Sequence, residues 1–318
     1  TRYIGVTGVQ TCALPIYGTR LRSGERALYQ FARETGDRPL AAVTPQSVAT
    51  FLRGRGDLSA TWTTRYQLLA GLYRFALARG HVSASALPDQ RPALPPSITP
   101  YVYSQAELKR LLDATDVLES PCSRMQAPTY RALILTLYGS GLRVGEAVRL
   151  NLSDVDLAER VLTVHETKFY KSRLVPLGEQ LAAALAAYLK RRCCVAMPQG
   201  SNSAFFASRE GRRLNYPRVV TLFQRVRAHA GIGCPPGASR PPRLHDLRHT
   251  AAVHRVLTWY QQGHDVQQLL PKLATYLGHV SVASTQRYLQ MTPELLQAAS
   301  MRFAAYAASV EDEVAEHA

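Results

Sequence analysis

The sequence predicts a mostly α-helical protein of two domains, the second carrying one small β-sheet. Three observations predict it. Apolar residues recur at helical spacing through most of the 318 residues. Five prolines fall between Pro88 and Pro100, a composition that breaks regular structure and stiffens a linker. Only short runs such as Val161–Val164 and Arg173–Pro176 have strand character. A chain of this length can bury two ordinary cores.

The first sixteen residues show no period, and Gly8 to Ile16 resembles a translated sequencing adapter, so residues 1–16 are expected to be a non-native leader. Residues 17–87 read as an all-helical domain. Leu28, Phe31 and Ala32 follow helical spacing. Thr44-Pro45 is an N-cap followed by proline at the first helical position, and it opens a helix carrying Val48, Phe51 and Leu52. Gly54 to Asp57 breaks that helix. Ser59 or Thr61 caps the next, which runs through Trp62, Tyr66, Leu69 and Tyr73 to about Gly80. Residues 88–100 form the linker.

Residues 101–309 are expected to form the second domain. Ser104 caps a helix with Leu108, Leu111 and Leu112. A helix from Pro128 to Tyr138 stops at Gly139-Ser140-Gly141, and Leu142 to Leu150 carries Arg143 and Glu146 one turn apart. The two strands flank a turn bearing Lys168 and Lys171. Helices follow over Gln180 to Arg192 and Pro217 to Ala230, with a short strand at Ala204 to Phe206 between them. After a Gly/Pro loop, the pattern from Arg243 to Ser309 is helical in several pieces. Residues 310–318 make an acidic tail.

The net charge is +15, which favours a polyanion. Among 38 basic residues only five are lysines, leaving 33 arginines suited to bidentate phosphate contacts. Residues 1–100 hold twelve arginines against five acids, so the first domain reads as a DNA-binding unit. The five cysteines form no Cys-x-x-Cys pair and are odd in number, which points away from a zinc site or a disulfide framework and fits a reducing cytosol. No apolar run approaches the roughly 18 residues of a membrane span.

Breaking a DNA strand reversibly sets chemical demands that certain residues can meet. The scissile phosphate gains charge in its transition state, and two guanidiniums can neutralise it. Arg143 and Arg248 are the candidates. Tyr288 is the candidate nucleophile, and positive charge nearby assists loss of a phenol proton whose pKa is ordinarily ~10. His245, His279 and Lys168 are candidates for moving protons. Glu146 supports Arg143. The product would be a phosphotyrosine that conserves the energy of the broken bond, so no cofactor and no metal are expected. Each residue alone has an ordinary structural explanation, since His-x-x-Arg is a common pair and the chain has sixteen tyrosines. The ordered combination carries the reading.

That combination resembles the tyrosine recombinases of the phage-integrase family. Gly139-Ser-Gly-Leu-Arg143-Val-Gly-Glu146 resembles the segment around the family's first catalytic arginine. Thr167-Lys168-Phe-Tyr-Lys171-Ser-Arg-Leu-Val-Pro176 resembles its lysine hairpin, with Lys168 matching the catalytic lysine. His245-Asp-Leu-Arg248 resembles its His-x-x-Arg box, and Leu277-Gly-His279 followed by Tyr288 resembles its final histidine and nucleophile. The resemblance implies a two-domain C-shaped clamp on double-stranded DNA, with a SAM-like core-binding domain and a catalytic domain. It implies site-specific recombination of the integrase or transposase type through a 3′-phosphotyrosine. It also implies a synaptic tetramer in which the C-terminal helix, within about Pro293 to Ser309, docks on a neighbour. Accessory directionality proteins are possible partners, and the bacterial nucleoid in the cytoplasm is the expected location. The long stretch Leu257 to Leu273 looks more like transposon-borne branches than compact ones. The alternative is a catalytically silent DNA-binding protein on the same fold.

Overall fold

The computed structural model describes residues 22–54, 58–94, 99–121, 123, 125–165 and 172–278, with the single positions 297 and 300. The expected leader and acidic tail lie outside them, as do Lys168, His279 and Tyr288. The described residues form two compact units, one of residues 22–94 and one from residue 99 onward.

The described residues of the first unit are mainly helical. Helix α1 spans Arg22–Glu34, α2 spans Pro45–Arg53 and α3 spans Ala60–Ala78. Thr44 caps α2 by accepting from the Ser47 N–H at 3.2 Å, and Pro45 costs nothing at a position whose N–H has no helical partner. Ser59, rather than Thr61, caps α3. The apolar faces meet in one core of Phe31, Val48, Phe51, Leu52, Trp62, Leu69 and Tyr73, with Phe31 and Phe51 edge to face at 4.9 Å.

The second unit is larger. Helix α4 (Gln105–Asp113) begins with a reciprocal capping box between Ser104 and Glu107. Helix α5 (Gln126–Ser140) is buried on almost every side and forms the centre of the unit. It starts two residues before Pro128, because a proline in the first turn removes no helical hydrogen bond. The expected helix over 142–150 shortens to α6 (Val144–Ala147). Beyond it the chain turns, and the Leu150 carbonyl accepts from the Phe205 N–H at 2.9 Å.

Among the described residues the sheet has three strands in the order β1-β2-β3, both pairs antiparallel. Strands β2 (Val161–Val164) and β3 (Arg173–Pro176) match the sequence reading, and β1 (Val155–Asp156) is an added edge of two residues. Ala204 makes an isolated bridge to Asn151 instead of a strand. Helices α7 (Glu179–Cys193) and α8 (Tyr216–His229) follow, then α9 (Asp246–Gln261) and α10 (Val266–Leu277). Helices α9 and α10 share a core of Ala252, Val253, Val256, Leu270, Leu273 and Leu277.

Tight approaches bring the ends of these helices together. Gly141 ends α5 in the left-handed conformation (φ +61°), and a Cβ there would lie 2.5 Å from Leu277 Cδ2. Opposite, the Tyr103 N–H donates to Thr250 Oγ1 at 3.0 Å and the Tyr103 hydroxyl to the Arg243 carbonyl at 3.2 Å. The start of α9 is thereby tied to the segment that opens the unit.

Candidate active site

Arg143 stands at the N-terminus of α6, just past the Gly141 turn. Its conformation is set by Glu146, three residues on. The Glu146 carboxylate accepts from the Arg143 backbone N–H at 2.9 Å and from its Nη1 at 2.8 Å. The two therefore pair as expected from their spacing, but Glu146 has a second partner. Arg173, at the start of β3, donates Nη1 to Oε1 at 3.2 Å and Nη2 to Oε2 at 2.9 Å. Burial of Glu146 works against its charge. The two arginines, Arg173 foremost, outweigh burial and hold its pKa down to about 2.

Arg248 lies in the first turn of α9 and is buried to 2% exposure. Its guanidinium spans the gap between two helix ends. Nη1 donates to the Gly141 carbonyl and Nη2 to the Leu277 carbonyl at 2.6 Å. Arg143 Nη2 donates to the next carbonyl, that of Gly278, at 3.2 Å. The C-terminus of α10 thus holds both candidate arginines through consecutive carbonyls that the helix leaves without internal partners. The side chain of Arg143 remains 37% exposed. Among the described residues, the guanidiniums of Arg143, Arg173 and Arg248 against the Glu146 carboxylate leave this cluster net positive.

His245 precedes α9. Asp246 fixes the turn by accepting from the Arg243 backbone N–H at 2.7 Å and its Nη2 at 2.9 Å. His245 keeps an exposed face. Crowding of the rest of its ring, and then the guanidiniums of Arg248 and Arg243, push its pKa below the ordinary histidine value. His249 packs its ring against that of His245 at 5.2 Å, and burial is the main cause that lowers its pKa to about 4.

Arg143, Glu146, His245 and Arg248 are therefore gathered where the ends of α5 and α10 meet the starts of α6 and α9. Lys168, His279 and Tyr288 lie outside the described residues. Their sequence neighbours are described. Lys168 falls between β2 and β3, and His279 directly follows Gly278, the left-handed cap of α10 (φ +69°). Arg173 is the member that sequence reasoning missed. It read only as the first residue of a strand, and its partner Glu146 is 27 positions away.

The family model for the phage integrase family matches residues 102–294. A Sinorhizobium fredii protein named as an integrase/recombinase is 38% identical over 296 residues, covering 90% of this chain and 91% of its own. The tyrosine recombinase XerD of Mycobacterium leprae is 32% identical over 299 residues, covering 89% and 90%. Among solved structures, the Tn1549 transposon integrase in complex with a circular intermediate DNA superposes with a TM-score of 0.66 at 16% identity, covering 93% of this chain and 97% of that one. A lambda integrase tetramer bound to a Holliday junction gives 0.63 at 20% identity, covering 90% and 78%. At these identities the solved structures speak for the fold alone. The family match over more than half of the chain, beside relatives above 30% identity along nine-tenths of it, establishes that the chain belongs to the phage integrase family, the tyrosine recombinases.

Proposed function

We propose that this tyrosine recombinase acts as an integrase or transposase that cleaves and rejoins double-stranded DNA through Tyr288. The Tyr288 phenolate attacks phosphorus, a P–O bond to tyrosine forms, and the bond to the 5′ oxygen breaks. Arg143 and Arg248 neutralise the non-bridging oxygens. Family membership and the seating of these two arginines on adjacent carbonyls just ahead of His279 support this reading. The lowered pKa of His245 leaves it neutral at pH 7, which suits accepting a proton from the phenol rather than delivering one. Delivery of a proton to the departing 5′ oxygen then falls to Lys168 or His279. The 3′-phosphotyrosine keeps the bond energy, and the reverse attack by a 5′ hydroxyl rejoins the strand.

Residues 17–87 are proposed to bind DNA as the second arm of a clamp, and the synapse to be a tetramer. An open groove of about 690 Å³, lined by Tyr138, Leu181, Trp259, Leu273 and Tyr276 among others, offers an apolar seat for a neighbour's C-terminal helix. Accessory directionality proteins and a place on the nucleoid belong to the same proposal.

The deciding experiment uses supercoiled plasmid carrying the DNA that flanks the gene. Protein is added in EDTA, quenched with SDS and examined for covalent attachment to nicked DNA. Wild type is expected to form the adduct. Tyr288→Phe is expected to form none while binding DNA as before. An adduct retained in Tyr288→Phe would overturn the assignment of the nucleophile, and tight binding without any adduct would favour the catalytically silent alternative.

A further inference from the structure

We infer that Arg173 is a positioning residue for cleavage, which acts by relieving Arg143 of the charge of Glu146. The inference rests on the proposed role of Arg143 at the scissile phosphate.

The side chain of Glu146 is only 4% exposed. A carboxylate this buried needs a counter-charge. Arg143, three residues away, is the local choice. Were it the sole partner, its charge would be spent on Glu146 and little would remain for a phosphate. Arg173 changes that balance. Its side chain is 14% exposed, against 37% for Arg143, and it meets both carboxylate oxygens. Arg143 meets one of them with its side chain and the other with its backbone N–H. The inner arginine neutralises the carboxylate, and the outer one is oriented by it while keeping its positive field toward solvent.

A second contact fixes Arg173 in place. The space beside Gly278 where a Cβ would stand is filled by its guanidinium, and that Cβ would lie 2.8 Å from Cζ and from Nη1. The same glycine accepts from Arg143 Nη2. Arg173 therefore braces, from beneath, both groups that aim Arg143.

The test measures single-turnover cleavage at saturating DNA, with DNA affinity measured separately. Groups that orient the ligands of a catalytic metal contribute roughly 10- to 100-fold, and the same range is expected for a group that orients a catalytic arginine. Arg173→Gln is expected near the upper end of that range at unchanged affinity. Arg173→Lys, which keeps the charge but not the paired donors, is expected to lose about 10-fold, near the lower end. In a Glu146→Gln background, where no carboxylate charge remains to be neutralised, Arg173→Gln is expected to cost only a few-fold further. A packing role alone would instead give additive losses that follow the fall in thermal stability. If Arg173→Gln does not fold, Arg173→Lys decides, and a folded Arg173→Lys cleaving at the wild-type rate would overturn the inference. So would full rescue of Arg173→Gln by a substrate with bridging sulfur at the 5′ position. Its thiolate departs without a proton, so rescue would assign Arg173 to the proton donor instead of Arg143. If wild type forms no Tyr288 adduct, the proposed function fails first and the inference falls with it. A normal wild-type adduct beside unaffected Arg173 variants overturns the inference alone.

Discussion

Arg143 and Arg248 are chemically alike but differ in what their loss exposes. Arg248 is buried and bonded to two carbonyls, so Arg248→Ala orphans both, at roughly 1–3 kcal/mol each. Its thermal midpoint should fall along with its cleavage rate. Arg143→Ala should lose about 10²–10³ in cleavage rate with much less change in midpoint, since that side chain is partly open to water. The buried acids and bases separate by pH. His249 is kept neutral in the fold, with a pKa of about 4 against an ordinary value of 6.5. Its contribution to stability is complete above pH 6.5 and is lost as pH falls from there toward 4. Glu146, held at about 2 from 4.5, loses its contribution only between pH 4.5 and 2. Melting curves against pH should show the first slope flattened in His249→Gln and unchanged in Glu146→Gln. Residue types and spacing named Arg143, Glu146, His245 and Arg248, and the fold brings these four together. They could not show that the pKa of His245 would be lowered, because that follows from crowding of part of its ring and from two guanidiniums brought near by folding.

Helix ends carry the geometry of the site. Gly278 caps α10 at φ +69° and its missing side chain leaves room for Arg173. Gly278→Ala should therefore cost about 1–2 kcal/mol for the backbone alone, plus the displacement of a guanidinium. Calorimetry reads the first effect, and a cleavage rate that falls at unchanged DNA affinity reads the second. The helices themselves were largely legible, since caps such as Thr44-Pro45 and Ser104 act within a few residues of the pattern they start. Strand β1 was not, because two residues carry no periodicity and the strand exists only through pairing with Val161 and Leu162. The shortening of α6 was equally hidden, since Leu150 turns away to accept from Phe205, a residue far along the chain.

At the scale of the whole molecule, charge and the two cores make separate claims. With a net charge of +15, binding to DNA should weaken steeply with salt. A protein contacting several phosphates loses about 10³-fold or more between 50 and 200 mM, and a titration series measures the slope. A shallow slope would count against phosphate contacts as the source of affinity. The division near residue 98 lets each unit keep its own hydrophobic core. A fragment ending there should melt cooperatively by circular dichroism. The proline-rich stretch set the expected linker at residues 88–100, because proline and the residue before it both resist helix. How the units face one another is not written in such local preferences.

The seats of Arg143 and Arg248 on the carbonyls of Gly141, Leu277 and Gly278 have an evolutionary corollary. Every residue type carries a carbonyl, so an acceptor of this kind places no demand on the identity of the side chain at its position. What must be inherited is the course of the backbone. In a saturating mutational library selected for recombination, Leu277 is expected to accept other apolar residues of similar volume. Gly278 and Gly141 are expected to accept almost nothing. Of the three anchors, Leu277 can thus drift in letter while staying fixed in space, whereas the two glycines are held by their backbone conformation and close packing.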